Sequence, residues 1–158
     1  MSRRLYRHYW DSCCMLSYVD HDEDRWPDLA ALLEASENHA IEIVTSSLST
    51  VEVAYGQLER SGQILDEATE AQIESLWAPG GPIKVVEFHP IIAREARQLM
   101  RLAVTKTWKL KPADAIHLAT GINSRSDEVN TYDDKWKRFE SAVGCTIRQP
   151  TSAAPKLL

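Results

Sequence analysis

The segment RHYWDSCCMLSYV, Arg7 to Val19, joins two hydrophobic patterns at a single acid. Upstream, LYRHYW (Leu5 to Trp10) has the aromatic-rich character of a short strand, and downstream a helical pattern begins. Asp11 stands between them. A carboxylate at that junction either caps the helix, by accepting from backbone N–H groups of its first turn, or forms one wall of a metal site.

The same alternation continues outward from this unit. β-rich runs recur at Ile41 to Thr45, Ile83 to Phe88, Glu128 to Tyr132 and Cys145 to Gln149. Helical patterns fill the intervals: Pro27 to Glu37 places Leu29, Leu32, Leu33 and Ser36 on one face, and Ile92, Ala96, Leu99 and Ala103 do the same later. Asp114 to Asn123, opened by Pro112, sets Ala115, Leu118, Ala119 and Ile122 on another such face. Strands separated by helices pair in parallel through crossovers, so the class is α/β with helices on both faces of the sheet. APGGPI, Ala78 to Ile83, reads as a turn and not a linker.

A chain of 158 residues suits one domain, assigned to 1–150, with a Pro- and Ser-containing tail at 151–158 expected to be flexible. No apolar run approaches the roughly 18–20 residues of a membrane span. The basic start reaches Asp11 before any signal-peptide core appears, which makes the cytoplasm the expected compartment. Cys13, Cys14 and Cys145 form no C-x-x-C pair and are expected to be reduced and packed. With 18 Lys and Arg against 23 Asp and Glu, the net charge is −5, which excludes a protein that holds nucleic acid by bulk electrostatics.

In open α/β sheets, ligands gather beyond the carboxyl ends of the strands, where the strand order reverses. Asp11 follows the first strand, Asp133 and Asp134 in TYDDKW follow the fourth, and Asp114 enters the helix before it. TSSLSTVEVAYGQL supplies a further acid. A helix over Ser47 to Leu58 carries an apolar stripe of Leu48, Val51, Tyr55 and Leu58 with Glu52 at its border, while Glu59 and Arg60 face outward. A carboxylate at such a border needs a cation or a metal beside it.

YWDSCCMLSYV, TSSLSTVEV, LKPADAIHLATGI and NTYDDKW follow, in order and at similar intervals, the acidic motifs of PIN-domain nucleases. The chain resembles in particular the toxin ribonucleases of bacterial toxin–antitoxin pairs, the VapC-like group. ADAIHLATGI is the most specific block, and the likeness covers nearly the whole chain. The resemblance implies a five-stranded parallel sheet and a hydrolase that cleaves RNA phosphodiester bonds. It further implies that Asp11, Glu52, Asp114 and Asp133 converge as catalytic residues and metal ligands. Hard carboxylate oxygens without clustered histidines or thiolates favour Mg²⁺ or Mn²⁺ over zinc.

Some positions depart from that pattern. The family often carries a small polar residue two positions after the first acid, where this chain has Cys13, and a thiol poorly replaces an amide that orients a ligand. Ser12 offers part of that contact. Asp133 is the expected ligand and Asp134 the opening of the next helix, with the reverse register left open. His117 is read as a satisfied structural side chain outside the metal shell. Arg101, Lys106, Lys109 and Lys111 surround Trp108 and form either a solvated helix end or an RNA contact.

The resemblance also implies a cognate antitoxin protein that presents an arginine or lysine to the acids and an apolar helix to a groove, for which Trp108, Tyr55 and Trp10 are candidates. It implies a homodimer as well. An aspartate-nucleophile phosphatase is set aside because Cys13 stands where its second acid belongs. A catalytically inactive scaffold of the same fold, binding protein or RNA, is the alternative function.

Overall fold

The computed structural model describes residues 3–153. In chain order the elements are β1 (Tyr6–Trp10), α1 (Ser12–Val19), α2 (Trp26–Glu37), β2 (Ile41–Ser46), α3 (Leu48–Glu52), α4 (Gln57–Gly62), α5 (Glu67–Trp77), β3 (Ile83–Val86), α6 (Pro90–Thr105), α7 (Pro112–Asn123), β4 (Glu128–Asn130), a 3₁₀ helix (Asp134–Phe139), α8 (Glu140–Val143) and β5 (Thr146–Arg148). The five strands form one sheet in the order β3-β2-β1-β4-β5, every pair parallel. From β1 the chain builds one side of the sheet through β2 and β3, then returns to build the other through β4 and β5. The reversal lies between β1 and β4, and the ends of those strands open the crevice in which such sheets bind ligands.

Strand period sorts the core into two layers. Tyr9, Val44, Val129 and Ile147 lie in one row across the sheet and pack with Ile92, Ala96 and Leu99 of α6 and Ala115, Leu118 and Ala119 of α7. Ile43 and Ile83 lie in the adjacent row, and with Trp10 they face Met15, Leu29, Leu32, Leu33 and Ile73 of α1, α2 and α5. Helices therefore cover both faces, as the sequence implies. Gly121 lets α7 approach the sheet: a Cβ there would meet Val129 Cγ2 at 3.0 Å.

The second row also contains an acid. Glu128, 1% exposed, accepts from Arg148 Nε at 2.5 Å and Nη2 at 3.0 Å and from Asn130 Nδ2 at 2.9 Å, with His8 Nδ1 3.3 Å away. These contacts clamp β1, β4 and β5 together at side-chain level.

Several expectations need correction. The helix over Ser47 to Leu58 is two short helices broken at residues 53–56. Its expected stripe fails: Val51, Tyr55 and Leu58 are exposed, whereas Val53 is fully buried. The break has a local cause. Glu59, expected to face outward, is buried and accepts from the backbone N–H groups of Gly56 at 2.9 Å and Asp66 at 2.8 Å, restarting the chain as a new capped helix. Trp10 is fully buried and cannot line a groove. At the tail, Ser152 donates from N and Oγ to Asp28 Oδ1, so residues 151–153 rest on α2. The remainder of the expected flexible tail, 154–158, lies outside the described residues. All three cysteines are unpaired. Among the described residues no helix is long and apolar enough to cross a membrane.

Candidate metal centre

Asp11 follows β1 directly and is the N-cap of α1, with extended backbone (φ −78°, ψ 173°). Its Oδ1 accepts from Cys14 N at 3.3 Å and from the Cys13 thiol at 2.7 Å, and its Oδ2 accepts from Thr131 Oγ1 at 2.7 Å. Thr131 follows β4, and the backbone N–H of Asp11 donates to Asn130 O at 3.3 Å. The two central strands thus hold this carboxylate from both sides. Only 5% exposed, it has its pKa raised by burial, against the lowering effect of these hydrogen bonds.

Asp114 lies in the first turn of α7, behind Pro112, and is half-buried. Burial raises its pKa, and the negative charges of Asp133 and Asp11 raise it further against the pull of His117. Asp133 is exposed and caps the 3₁₀ helix, its Oδ1 accepting from Lys135 N at 3.0 Å and its N–H donating to Thr131 Oγ1 at 3.1 Å. Asp134 opens that helix and is also exposed. Asp11, Asp114 and Asp133 therefore act on one electrostatic field at the strand reversal.

Glu52 ends α3 and reaches the same region by another route. Its Oε1 lies 2.5 Å from His117 Nε2, and His117 Nδ1 lies 2.6 Å from the Tyr9 hydroxyl. Tyr9 is fully buried and burial holds its phenol well above the ordinary value, so it stays protonated. In either protonation state Nε2–H can donate to Glu52, with Nδ1 accepting from the Tyr9 hydroxyl when His117 is neutral and donating to it when charged. Burial pushes the Glu52 carboxyl up, but the hydrogen bond and charge of His117, helped by the Ser12 hydroxyl, bring it below the ordinary value. His117 is indeed structural and satisfied, yet it touches a candidate ligand, a contact the sequence reading missed. The sequence spacing puts His117 on the same face as Asp114, three residues apart on one helix, but carries no sign of Glu52.

Among the described residues the four acids do not close on one point. Three potential ligand atoms lie within 4.8 Å of one another in Asp11, Cys13 and Cys14. Burial raises the Cys14 thiol far above its ordinary value, so Cys14 stays a thiol. Among the described residues, no lysine, arginine or histidine lies within 4.0 Å of the carboxylates of Asp11, Asp114 or Asp133, whereas Glu42 and Glu128 both have arginine partners. Buried and half-buried oxygens that repel one another and lack a cation fit a hard divalent ion.

The basic run is less suited to RNA stacking. Trp108 is half-buried with its edge against Phe139, ring centroids 5.2 Å apart, and the Arg138 guanidinium lies 5.4 Å from its ring. Arg101, Lys106, Lys109 and Lys111 remain exposed.

The PIN domain family model matches residues 9–141, from within β1 to the start of α8. This chain belongs to the PIN domain family. The matched span of the PIN domain includes all four candidate acids, the end of β1 and all of β4. No curated protein sequence matches. Among solved structures, VapBC2 from Rickettsia felis, bound to a DNA fragment from its promoter, matches with a TM-score of 0.69 at 13% identity over 90% of this chain and 98% of that one. FitAcB from Neisseria gonorrhoeae matches at 0.62 and 17% over 90% and 97%, and FitAB bound to an IR36 DNA fragment at 0.65 and 15% over 95% and 99%. At these identities the likeness establishes a shared fold across nearly the whole PIN domain.

Proposed function

We propose that this PIN domain is a metal-dependent ribonuclease and the toxin of a toxin–antitoxin pair, acting in the cytoplasm. Asp11, Glu52, Asp114 and Asp133 would hold Mg²⁺ or Mn²⁺. The observation that carries the reading is the group of carboxylates at the β1–β4 reversal, two of them with raised pKa and three without any cationic partner among the described residues. When bound, a divalent ion supplies positive charge at the scissile phosphate and lowers the pKa of water.

The chain's own residues prepare that site. Thr131 and the first turn of α1 fix both oxygens of Asp11, so its orientation is set before any ion arrives. The Tyr9–His117 pair aims Glu52 and keeps it ionised. Asp114 and Asp133 are carried by other elements, one in the first turn of α7 and one at the cap of the 3₁₀ helix.

Support for a protein partner comes from the surface beside Glu52. Val51 of α3, Leu58 of α4 and Ile64 and Leu65 just after it are each at least 74% exposed, apolar side chains available to an amphipathic helix. The solved neighbours named VapBC2 and FitAB are complexes, which agrees with an antitoxin partner that lays such a helix here and places a cation among the acids. A homodimer is part of the same proposal. The inactive scaffold is the second reading, favoured by the capping roles of Asp11 and Asp133, which explain those two residues without chemistry.

The test is RNA cleavage with Mg²⁺ or Mn²⁺ by the wild type and by Asp11→Asn, Glu52→Gln, Asp114→Asn and Asp133→Asn. Each variant is expected to fold and to lose cleavage. Folded variants with wild-type specific activity would remove the assignment, and a wild type inert with both ions would favour the scaffold.

A further inference from the structure

Cys13 is where the acid pocket departs from a purely hard set of donors. It lies in the first turn of α1, half-buried, with Sγ 2.7 Å from Asp11 Oδ1, 3.4 Å from Tyr132 N and 3.8 Å from Thr131 Oγ1. The sulfur therefore meets polar atoms between the two central strands, while the Cys13 side chain also packs against the layer of Trp10, Met15 and Leu29. Cys14 is its neighbour, and one ligand atom from each of Asp11, Cys13 and Cys14 falls within 4.8 Å of the others. Cys14 differs in kind: it is fully buried and donates to Asn130 O at 3.4 Å.

A sulfur beside a carboxylate changes which ions the position prefers. Magnesium takes oxygen donors almost exclusively, whereas zinc and cadmium gain strongly from thiolate. Asp11 adds a negative charge that no lysine or arginine among the described residues offsets within 4.0 Å. Because Thr131 already holds Oδ2, the oxygen facing Cys13 is Oδ1, and the hydrogen bond between Sγ and Oδ1 would open for both atoms to take one ion.

We propose that Asp11 and Cys13 form a binding site for a thiophilic divalent cation, of the class of Zn²⁺ and Cd²⁺, at the end of β1. Binding exchanges the S–H bond for an S–metal bond. The proton leaves to solvent and no electron is transferred. Cys14 becomes a further donor when it gives up its bond to Asn130, but the site does not need it. Sharing Asp11 makes a thiophilic ion a competitor of the hard ion proposed for catalysis, and therefore an inhibitor of cleavage. In that respect the inference rests on the proposed function; the site itself does not.

The experiment is a calorimetric titration of the full chain with Cd²⁺, alongside ultraviolet absorption from thiolate-to-cadmium charge transfer. Wild type, Cys13→Ser and Cys145→Ser are compared, the last as a control thiol packed in the α6–α7 layer. Wild type and Cys145→Ser are expected to bind one Cd²⁺ with the charge-transfer band. Cys13→Ser is expected to lose the band and about tenfold or more in affinity, the low end of what removing even an outer-shell partner costs. A Cys13→Ser variant that keeps both, or a wild type that shows no band, overturns the site. Should Cys13→Ser fail to fold, the wild type decides: Cd²⁺ must protect Cys13 from iodoacetamide, read by peptide mass, and unprotected alkylation overturns the proposal. Cys13-dependent Cd²⁺ binding in a protein that cleaves no RNA with Mg²⁺ or Mn²⁺ counts against the ribonuclease reading alone. Cleavage without such binding counts against this site alone.

Discussion

Asp11 caps α1 with one oxygen and takes the Thr131 hydroxyl on the other, yet nothing among these contacts neutralises it. Its pKa is raised above the ordinary 3.8 by burial, so the folded state binds its proton more tightly than the unfolded chain does. The associated stability is present below the ordinary value and lost as pH rises through the folded one. Without metal, Asp11→Asn is therefore expected to hold or raise Tm at neutral pH, by about 2–4 °C for each kcal/mol of relief, with the advantage over wild type growing upward from pH 4 or so. Thermal melts across pH check it; a variant that melts lower at pH 7 than at pH 4, relative to wild type, contradicts it. Asp133 and Asp134 make a second comparison. Asp133 acts on the charge of Asp114, so Asp133→Ala should cost far more cleavage activity than Asp134→Ala in a kinetic assay, and the reverse order would move the ligand by one residue. Asp11, Asp114 and Asp133 were visible in the sequence because each follows a strand or opens a helix. The His117–Glu52 bond was not, because it joins residues on separate helices across the top of the sheet.

Elements, more than residues, carried the error in the sequence reading. The α6 stripe repeats without interruption and its buried face is the expected one, while α7 buries Ala115, Leu118 and Ala119 as expected, leaves Ile122 half-buried and adds His117, Thr120 and Gly121. Ser47 to Leu58 has a helical period too, but periodicity does not record that Glu59 will turn inward to cap Gly56, and that capping ends the run. Chain stability measured by denaturant should separate the two readings. Val53→Ala is expected to cost about 1–3 kcal/mol as a buried truncation, and Leu58→Ala to stay within about 0.5 kcal/mol. Equal losses would restore the continuous helix. The Glu128–Arg148 clamp is another element-scale feature, hidden in the sequence because its partners lie on three different strands. Burial raises Glu128, but Arg148, His8 and Asn130 outweigh that and leave it below the ordinary 4.5. Its contribution is thus full above that value and lost as pH falls through the folded pKa. Arg148→Ala leaves the acid buried and unpaired, at a cost of about 3 kcal/mol, the low end for such a pair because Arg148 is 34% exposed. Denaturation of Arg148→Ala and of Glu128→Gln checks this, the second being the milder.

Across the whole molecule, the strand order reverses at β1 and β4, and of the buried acids Asp11 lies at that reversal without a cationic partner among the described residues. The α/β class and the parallel sheet followed from alternation alone; the order of the strands did not, since nothing local says which side of β1 receives β4. With a net charge of −5, the proposed ribonuclease would need its acids masked before RNA could approach, and a divalent ion among them would do so. The most direct measurement is a Mn²⁺ titration by calorimetry, with melts of the same samples. Wild type should bind Mn²⁺ and gain Tm by mass action, while Asp11→Asn and Asp114→Asn should begin at an equal or higher Tm and lose the response to Mn²⁺. A wild type with neither binding heat nor Tm shift, or variants that respond to Mn²⁺ as wild type does, would contradict a metal centre at the β1–β4 reversal.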